Sequence, residues 1–423
     1  MFAPNPLFSK KVEIFWAFSL FFLIFLVHLA FSYKNYQEFK EQKYHNLSGV
    51  LVNEFERVSK KGKPYKVLHI KTDDFLIYST SYAKEFKARE KEKLNFTIVS
   101  DGVSFKSFLS KRFYAPSFRH TPLHEVELNL NEKLYRAISA QHQTSQKVQN
   151  LFTALFLGDS SKKELREDIT HWGVAHLVAI SGFHLGVIVG VGYFLLAPIY
   201  KFFQSRFFPY RNRTVDLTLF LLTLVFFYAW VIGFIPSFLR SFVMAVFVFF
   251  LFIKNVKVVS FGVLAICGAF LIALFPSLIF NVGFIFSMLG VFYIYLYLHH
   301  FKDLFKSKLL HLVLINSWVF FGMIIPVHFW FKLITLQQLG AIGLSIIFGI
   351  FYPFMAFLHL IGQGGVIDNS LEWFLELRVF EAKEFKTPLW MLIAYLGASF
   401  ASIFSRTLAI IVILLGVVPF FII

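Results

Sequence analysis

Two places in this sequence carry side chains able to do chemistry inside an apolar surrounding. The first is His171–Tyr200, HWGVAHLVAISGFHLGVIVGVGYFLLAPIY, where His176, Ser181 and His184 precede a long apolar run. Ser181 and His184 stand three apart, so on a helix their side chains can meet on one face. Gly182, Gly186 and Gly190 recur every fourth residue, leaving a row that another helix, a backbone or a ligand can approach closely. The second place is Arg240 in PSFLRSFVMA, a charge just inside an apolar run. Polar groups in hydrocarbon are costly unless they face a partner or water, so both places suit the lining of an interior path. Plainer roles fit the same residues: glycine rows pack helices, Ser181 can bond His184, and an interfacial Arg reaches for headgroups.

The elements that must hold these residues are membrane helices. Of 423 residues, 57% are hydrophobic and 59 are Phe, a polytopic membrane composition rather than a soluble core. From Val174 onward the first stretch is expected to form one helix, long enough for a hydrocarbon core of about 30 Å. Val12–Phe31 also has spanning length, with no small-residue cleavage site after it, and is expected to be a retained anchor. Further apolar runs are Val215–Ile235, Ser237–Ile253, Val258–Leu274, Leu278–Leu298, Leu309–Trp330, Gln338–Leu360 and Leu389–Ile423. The last is expected to be two spans hinged near Ser405-Arg406, which brings the total to about nine or ten. Pro353 is expected to break its span. Basic loops at 201–213 and 299–308 place those ends, and the N-terminus, in the cytoplasm. Asn369–Phe385 is amphipathic and too polar to cross, so an interfacial helix is expected there.

Composition changes between the anchor (1–32) and the channel-type region (173–423). Residues 33–150 hold 21 Lys and Arg against 13 Asp and Glu, half of the chain's excess of +16. Short β-rich runs occur at Leu47–Glu56, Tyr65–Lys71, Phe75–Thr80, Leu94–Ser100 and Val103–Leu109. Five strands in about 75 residues suit a small closed barrel such as an OB-fold over 33–122. Lysines alternate with rings through Tyr65, Lys66, Lys71, Phe75, Tyr78, Tyr82, Lys84, Phe86 and Lys87, the chemistry of single-strand grooves. The run KEFKAREKEK equally suits a solvated charged face. Residues 123–172 read as an amphipathic helical connector on the membrane surface, with Ser161 and Glu164 at capping-box spacing.

Several chemistries are absent from the sequence. It has no GxxxxGKS/T phosphate loop, no HExxH, no GxSxG and no His and Asp at metal spacing. Its one cysteine, Cys267, excludes an intrachain disulfide. Catalysis, a cofactor and a metal are therefore not expected.

The blocks ALFLGD (Ala154–Asp159), ELRED (Glu164–Asp168) and above all AHLVAISGFHLG (Ala175–Gly186) resemble the ComEC competence family, inner-membrane DNA channels of natural transformation. PSFLRSFVMA resembles that family's Pro-x-x-Arg helix, and PSLIFNVGFIFSMLGV (Pro276–Val291) a further family segment. Asn281 and Ile285 stand where the family has Asp and Gln, so neither family side chain is carried over. Many members also contain a metallo-β-lactamase-like domain; no HxHxDH occurs here, so the resemblance is to a short form and carries over no nuclease.

The resemblance implies a non-enzymatic channel passing single-stranded DNA through the inner membrane, with an OB-fold-like periplasmic domain. Lys61, Lys63, Lys66 and Lys71 would then contact phosphates, and Tyr65 and Tyr78 would stack on bases. His176, Ser181, His184 and Arg240 would line the path, and Gly182 and Gly186 would keep it wide. Implied partners are membrane lipid, a periplasmic DNA receptor and a cytoplasmic ATPase or single-strand-binding protein that pulls the strand. Two other classes stay open: a small-molecule or lipid transporter with a closed midplane pocket, and a non-transporting scaffold of an uptake complex.

Overall fold

Alternating apolar side chains build the first part of the chain into one six-stranded sheet. The computed structural model describes residues 10–59, 62, 64–81, 92–123, 130–159 and 162–422. They divide into a sheet unit, Phe8–Asn129 with Gly268–Val282, and a helical unit, Leu130–Cys267 with Gly283–Ile423.

In the sheet unit, helix α1 (Lys11–Glu41) leads into strands β1 (Tyr44–Val58), β2 (Pro64–Lys71), β3 (Leu76–Ser81) and β4 (Lys93–Val99). A short helix, α2 (Phe105–Leu109), precedes β5 (Arg112–Tyr114) and β6 (Ser117–Pro122). The order is β5-β3-β2-β1-β4-β6, antiparallel except for the parallel β3–β5 pair. Leu51, Leu68, Ile70, Ile77, Phe96, Ile98 and Phe113 fill the inner face. The expected closed barrel is not what forms: the sheet is open, with β5 and β6 as its edges. Only Ala115 and Pro116 separate those edges in the chain, and both bond inward, Ala115 N–H to the Tyr78 carbonyl and Pro116 carbonyl to Val99 N–H, each at 3.0 Å.

Val103–Leu109, expected as a strand, is helical. Ser104 Oγ caps it by accepting from Ser107 N–H, and Phe105 and Phe108 then share the face that meets Tyr36 at the end of α1. β5 and β6 have no clear apolar alternation in the sequence, because they are short and carry polar residues at most positions.

The helical unit opens with α3 (Leu130–Ser139), α4 (Gln146–Leu157), α5 (Lys163–His171) and a single turn, α6 (Ala175–Val178). The connector is thus not one helix: it breaks at residues 140–145, and Ser161, expected as a cap, lies outside the described residues. Helices α7 (Gly182–Phe207), α8 (Arg213–Val231), α9 (Pro236–Ile253) and α10 (Phe261–Leu274) follow. Then come α11 (Val282–Phe301), α12 (Lys308–Trp330), α13 (Gly340–Leu360), α14 (Asp368–Glu376), α15 (Leu389–Ala401) and α16 (Arg406–Val417).

Among the described residues, six helices are long and apolar enough to cross a membrane: Val12–Glu41, α7, α8, α11, α12 and Leu336–Leu360. Four shorter apolar helices, Phe238–Ile253, Phe261–Leu274, Leu389–Phe404 and Arg406–Phe421, match expected spans but fall below that length. The break before Arg406 is where the sequence placed a hinge, capped by Ser405 Oγ accepting from Leu408 N–H. Pro353 does not break α13, which runs through it, as α12 runs through Pro326. The expected interfacial helix stops at Glu376, and Lys383–Glu384 instead pairs with Leu333–Ile334. One core joins Val148, Phe152 and Leu155 of α4 and Leu165 of α5 to Phe348, Tyr352 and Met355 of α13.

Candidate functional site

The AISG block is a helix start, not a helix interior. The helix expected from Val174 is broken: α6 ends at Val178, Ala179 is extended, and Ser181 is the N-cap of α7. Ser181 Oγ accepts from Phe183 N–H, and Ser181 N–H donates to His184 Nδ1 at 3.2 Å. This reciprocal box satisfies backbone donors that a helix end in apolar surroundings would otherwise strand. His184 is fully buried, its ring edge-on to Phe348 and Tyr352 of α13. Nδ1 is committed to the cap, whereas His184 Nε2 is buried without a hydrogen-bond partner among the described residues. His176 sits apart on α6, exposed, its Nδ1 near the Gly173 carbonyl and its Nε2 3.4 Å from Ser345 Oγ.

The glycine row does not act as a unit. A Cβ on Gly182 would meet Ser241 Oγ of α9 at 3.1 Å, so α9 approaches the start of α7 there. A Cβ on Gly186 or Gly190 would meet nothing within 4 Å. Close packing of α7 on α8 falls at Gly192, where a Cβ would be 2.5 Å from Leu221 Cδ2. The open flank of Gly186 and Gly190 therefore needs another explanation than packing within the chain.

Arg240 sits next to Ser241 on α9 and is only 4% exposed. Its guanidinium lies over the Phe284 ring of α11, 5.8 Å from the centroid. Nε and Nη1 are buried with no hydrogen-bond partner among the described residues. An ionised group left this way costs several kcal/mol, by order of magnitude, unless an anion or water reaches it. Among the described residues no carboxylate bonds Nε or Nη1, and the ring face is a weak substitute for one.

On the sheet unit the strand pleat sorts the predicted contacts onto two faces. Tyr65, His69 and Lys71 of β2 point away from the core, as do Tyr78 of β3 and Tyr114 of β5. Lys66 has the opposite parity, beside Leu68, and forms an ion pair with Glu54. It therefore does not share a face with Tyr65 and Lys71. Lys61 and Lys63 lie outside the described residues.

Sequence reasoning missed the centre of the outer face. The Phe55 and His69 rings are 5.1 Å apart and those of His69 and Tyr78 4.6 Å apart, a row across β1, β2 and β3. Tyr114 continues it as the register partner of Tyr78. Arg57, opposite Tyr65, and Arg112, opposite Leu76, join Lys71 as exposed cations at its margins. Cross-strand register brings these residues together, and their spacing along the chain gives no sign of it.

The family blocks have structural work of their own. Gly158 of ALFLGD ends α4 at φ +70°, and a Cβ there would overlap Ile235, so only glycine fits. Asp168, which closes ELRED, holds Lys147 of α4 at 3.1 Å and also pairs with Arg378.

Fold and site together define a polytopic helical membrane protein with a separate β-sheet unit and buried polar groups in its helical unit. The profile of the family described as Competence protein matches residues 155–418, more than half of the chain. The chain belongs to the competence protein family, which connects it with DNA uptake. No curated protein and no solved structure matches it.

Proposed function

We propose that this protein is an inner-membrane channel that passes single-stranded DNA into the cytoplasm during natural transformation. The open-sheet unit, on the periplasmic side, holds the strand: Arg57, Lys71 and Arg112 take phosphates, and His69, Tyr78 and Tyr114 offer ring faces to bases. Within the helical unit, Arg240 offers its unpartnered N–H groups to passing phosphates. His184 Nε2 is a second polar contact. The bare flank at Gly186 leaves room for a sugar–phosphate backbone. A periplasmic receptor would deliver DNA, and a cytoplasmic ATPase or single-strand-binding protein would supply the pull.

The observation that carries this reading is Arg240, a permanent cation inside apolar helices with two N–H groups left for an anion. The test is uptake of labelled DNA in a strain lacking this chain, complemented with wild type or Arg240→Ala at matched membrane levels. A charge-assisted contact of about 1.5–3 kcal/mol predicts a roughly ten- to hundredfold loss of cytoplasmic label in the variant. DNA reaching the cytoplasm undiminished in the deletion strain would sink the channel reading. A rescued strain indifferent to Arg240→Ala would leave the protein as a scaffold.

A further inference from the structure

Three titratable side chains of the helical unit, two of them buried and one half-buried, meet in one line. His142, in the turn between α3 and α4, is 1% exposed, and Asp368, the first residue of α14, is 3% exposed. His142 Nδ1 lies 2.8 Å from Asp368 Oδ1. Its other nitrogen, Nε2, lies 2.9 Å from Nε2 of His359 at the end of α13. His359 Nδ1 is 2.7 Å from the Met355 carbonyl. The second carboxylate oxygen of Asp368 accepts from Thr144 Oγ1 at 3.2 Å.

Counting hydrogens along this line gives an unexpected total. The Met355 carbonyl can only accept, so His359 Nδ1 must carry a hydrogen. The nitrogen–nitrogen contact and the His142–Asp368 contact each need one more. Three hydrogens are required, but two neutral imidazoles and a carboxylate hold two. We propose that His142, His359 and Asp368 form a proton-binding site that takes one proton from water and, while occupied, clamps the α3–α4 turn to the α13–α14 loop.

In the loaded state the line holds a carboxylate, an imidazolium and a neutral imidazole, for a net charge of zero. Release sends one proton to solvent and leaves a net charge of −1. One contact then sets a lone pair against a lone pair, and the line must open. The surroundings suit a cation: the His142 ring stacks on Phe152 at 4.8 Å, and the His359 ring lies against Phe152 and Phe156 at 4.6 and 4.9 Å. The loop is built to close over it. A Cβ on Gly364 would meet His359 Nε2 at 2.7 Å and Gln141 Oε1 at 2.8 Å, and one on Gly365 would overlap the Gln141 carbonyl. Gln141 completes the clamp, accepting from Gly364 N–H at 2.8 Å and donating to the His359 carbonyl at 3.2 Å.

Other charged groups nearby are engaged or exposed. Lys147 of α4 pairs with Asp168 of α5 and Glu376 of α14, and Arg378 pairs with Asp168. His171 of α5 bonds Gln337. On α3, Lys133 and Arg136 are exposed and Glu132 half-buried; Glu372 of α14 is half-buried, and α13 offers Tyr352. Among the described residues of these elements, the line is thus the place where the contacts themselves demand an additional proton.

Hydrogen exchange read by mass spectrometry tests this on the full chain in lipid nanodiscs, from pH 6 to 9. Protection of residues 140–146 and 359–368, corrected for intrinsic exchange, is expected to fall by up to about tenfold per pH unit above about pH 6.5. The α12 segment should not follow. Asp368→Asn supplies a permanent N–H to His142 Nδ1, so all three contacts can be made by two neutral imidazoles. That variant should stay protected and lose the pH dependence, a result that a purely structural carboxylate would not give. His142→Gln should lose both protection and slope. A flat wild-type profile, or an undiminished slope in Asp368→Asn, would overturn the proposal.

Discussion

The two units handle polar groups differently. In the sheet unit, buried polar side chains find each other: Ser79 Oγ donates to Ser117 Oγ at 2.6 Å and Thr97 Oγ1 to Asn46 Oδ1 at 2.7 Å. Its unspent polarity and the rings of His69, Tyr78 and Tyr114 are turned outward. In the helical unit some pair likewise, as His142 with Asp368 and Tyr293 with Ser399, and others do not. Among the described residues, Arg240 Nε and Nη1, His184 Nε2, Trp318 Nε1 and His328 Nε2 are buried without hydrogen-bond partners. A water-facing domain loses little by satisfying every group locally, since solvent serves the rest. A membrane domain that must admit a charged polymer needs inward donors with no permanent acceptor. If the chain is the channel proposed above, the contrast separates a surface that holds the strand from an interior that conducts it.

The largest effect that could break this contrast lies at Gly186, whose absent side chain faces open space in the helical unit. Leucine there should leave membrane level and thermal stability unchanged, because a Cβ at this position meets nothing within 4 Å. If the flank borders the DNA path, the same substitution should lower transformation by about two orders of magnitude or more, through steric block rather than unfolding. Gly192→Leu is the opposite control: it drives into Leu221 of α8 and should destabilise the protein, since overpacking costs about 1–3 kcal/mol. Equal transport by wild type and Gly186→Leu would make the open flank a lipid-facing surface.

The sheet face gives the next largest effect. His69→Ala or Tyr78→Ala in the full chain should weaken oligonucleotide binding by about five- to a hundredfold, since a base–ring stack is worth about 1–3 kcal/mol. Lys71→Ala should act through salt instead, lowering the slope of log affinity against log salt by about 0.7 for each phosphate that is no longer neutralised. Lys66→Ala, on the other side of the sheet and paired with Glu54, should leave both quantities unchanged. Fluorescence anisotropy with labelled single strands over a salt series reads all three. Equal losses in Lys66→Ala and Lys71→Ala would refute the sorting by strand face.

How far the sequence was legible follows from the range of each interaction. Apolar run length disclosed the membrane helices, and four of the five expected strands formed, because both patterns are local. The Ser181–His184 contact was legible too, being three residues apart. Val103–Leu109 misled because its apolar residues are spaced for either period, and the capping hydroxyl of Ser104 decided for helix. Lys66 misled because alternation of Lys and rings along the chain does not tell which face of the strand each side chain takes. The Phe55–His69–Tyr78 row and the His142–Asp368–His359 line could not be read at all. Cross-strand register and contacts 217 and 226 residues apart assemble them.

The smallest effect concerns His171, a buried histidine of the helical unit. His171 ends α5 and bonds Gln337 Oε1 at 3.0 Å; burial, and then the nearby Arg378 charge, lower its pKa below the usual imidazole value. The folded chain therefore keeps His171 neutral to lower pH than the unfolded chain does. As pH falls through about 6.5 the unfolded state binds the proton first, so this residue's contribution is present above that value and lost below it. His171→Gln retains an amide donor but cannot titrate, so it should raise the relative melting temperature below pH 6.5 by a few degrees, about 2–4 °C. Above pH 7.5 it should change nothing beyond the local repacking. Melting curves of the nanodisc-embedded protein at pH 5.5 and 8 check this. A variant equally shifted at both would mean that His171 acts by shape alone and that acid sensitivity in this unit has another source.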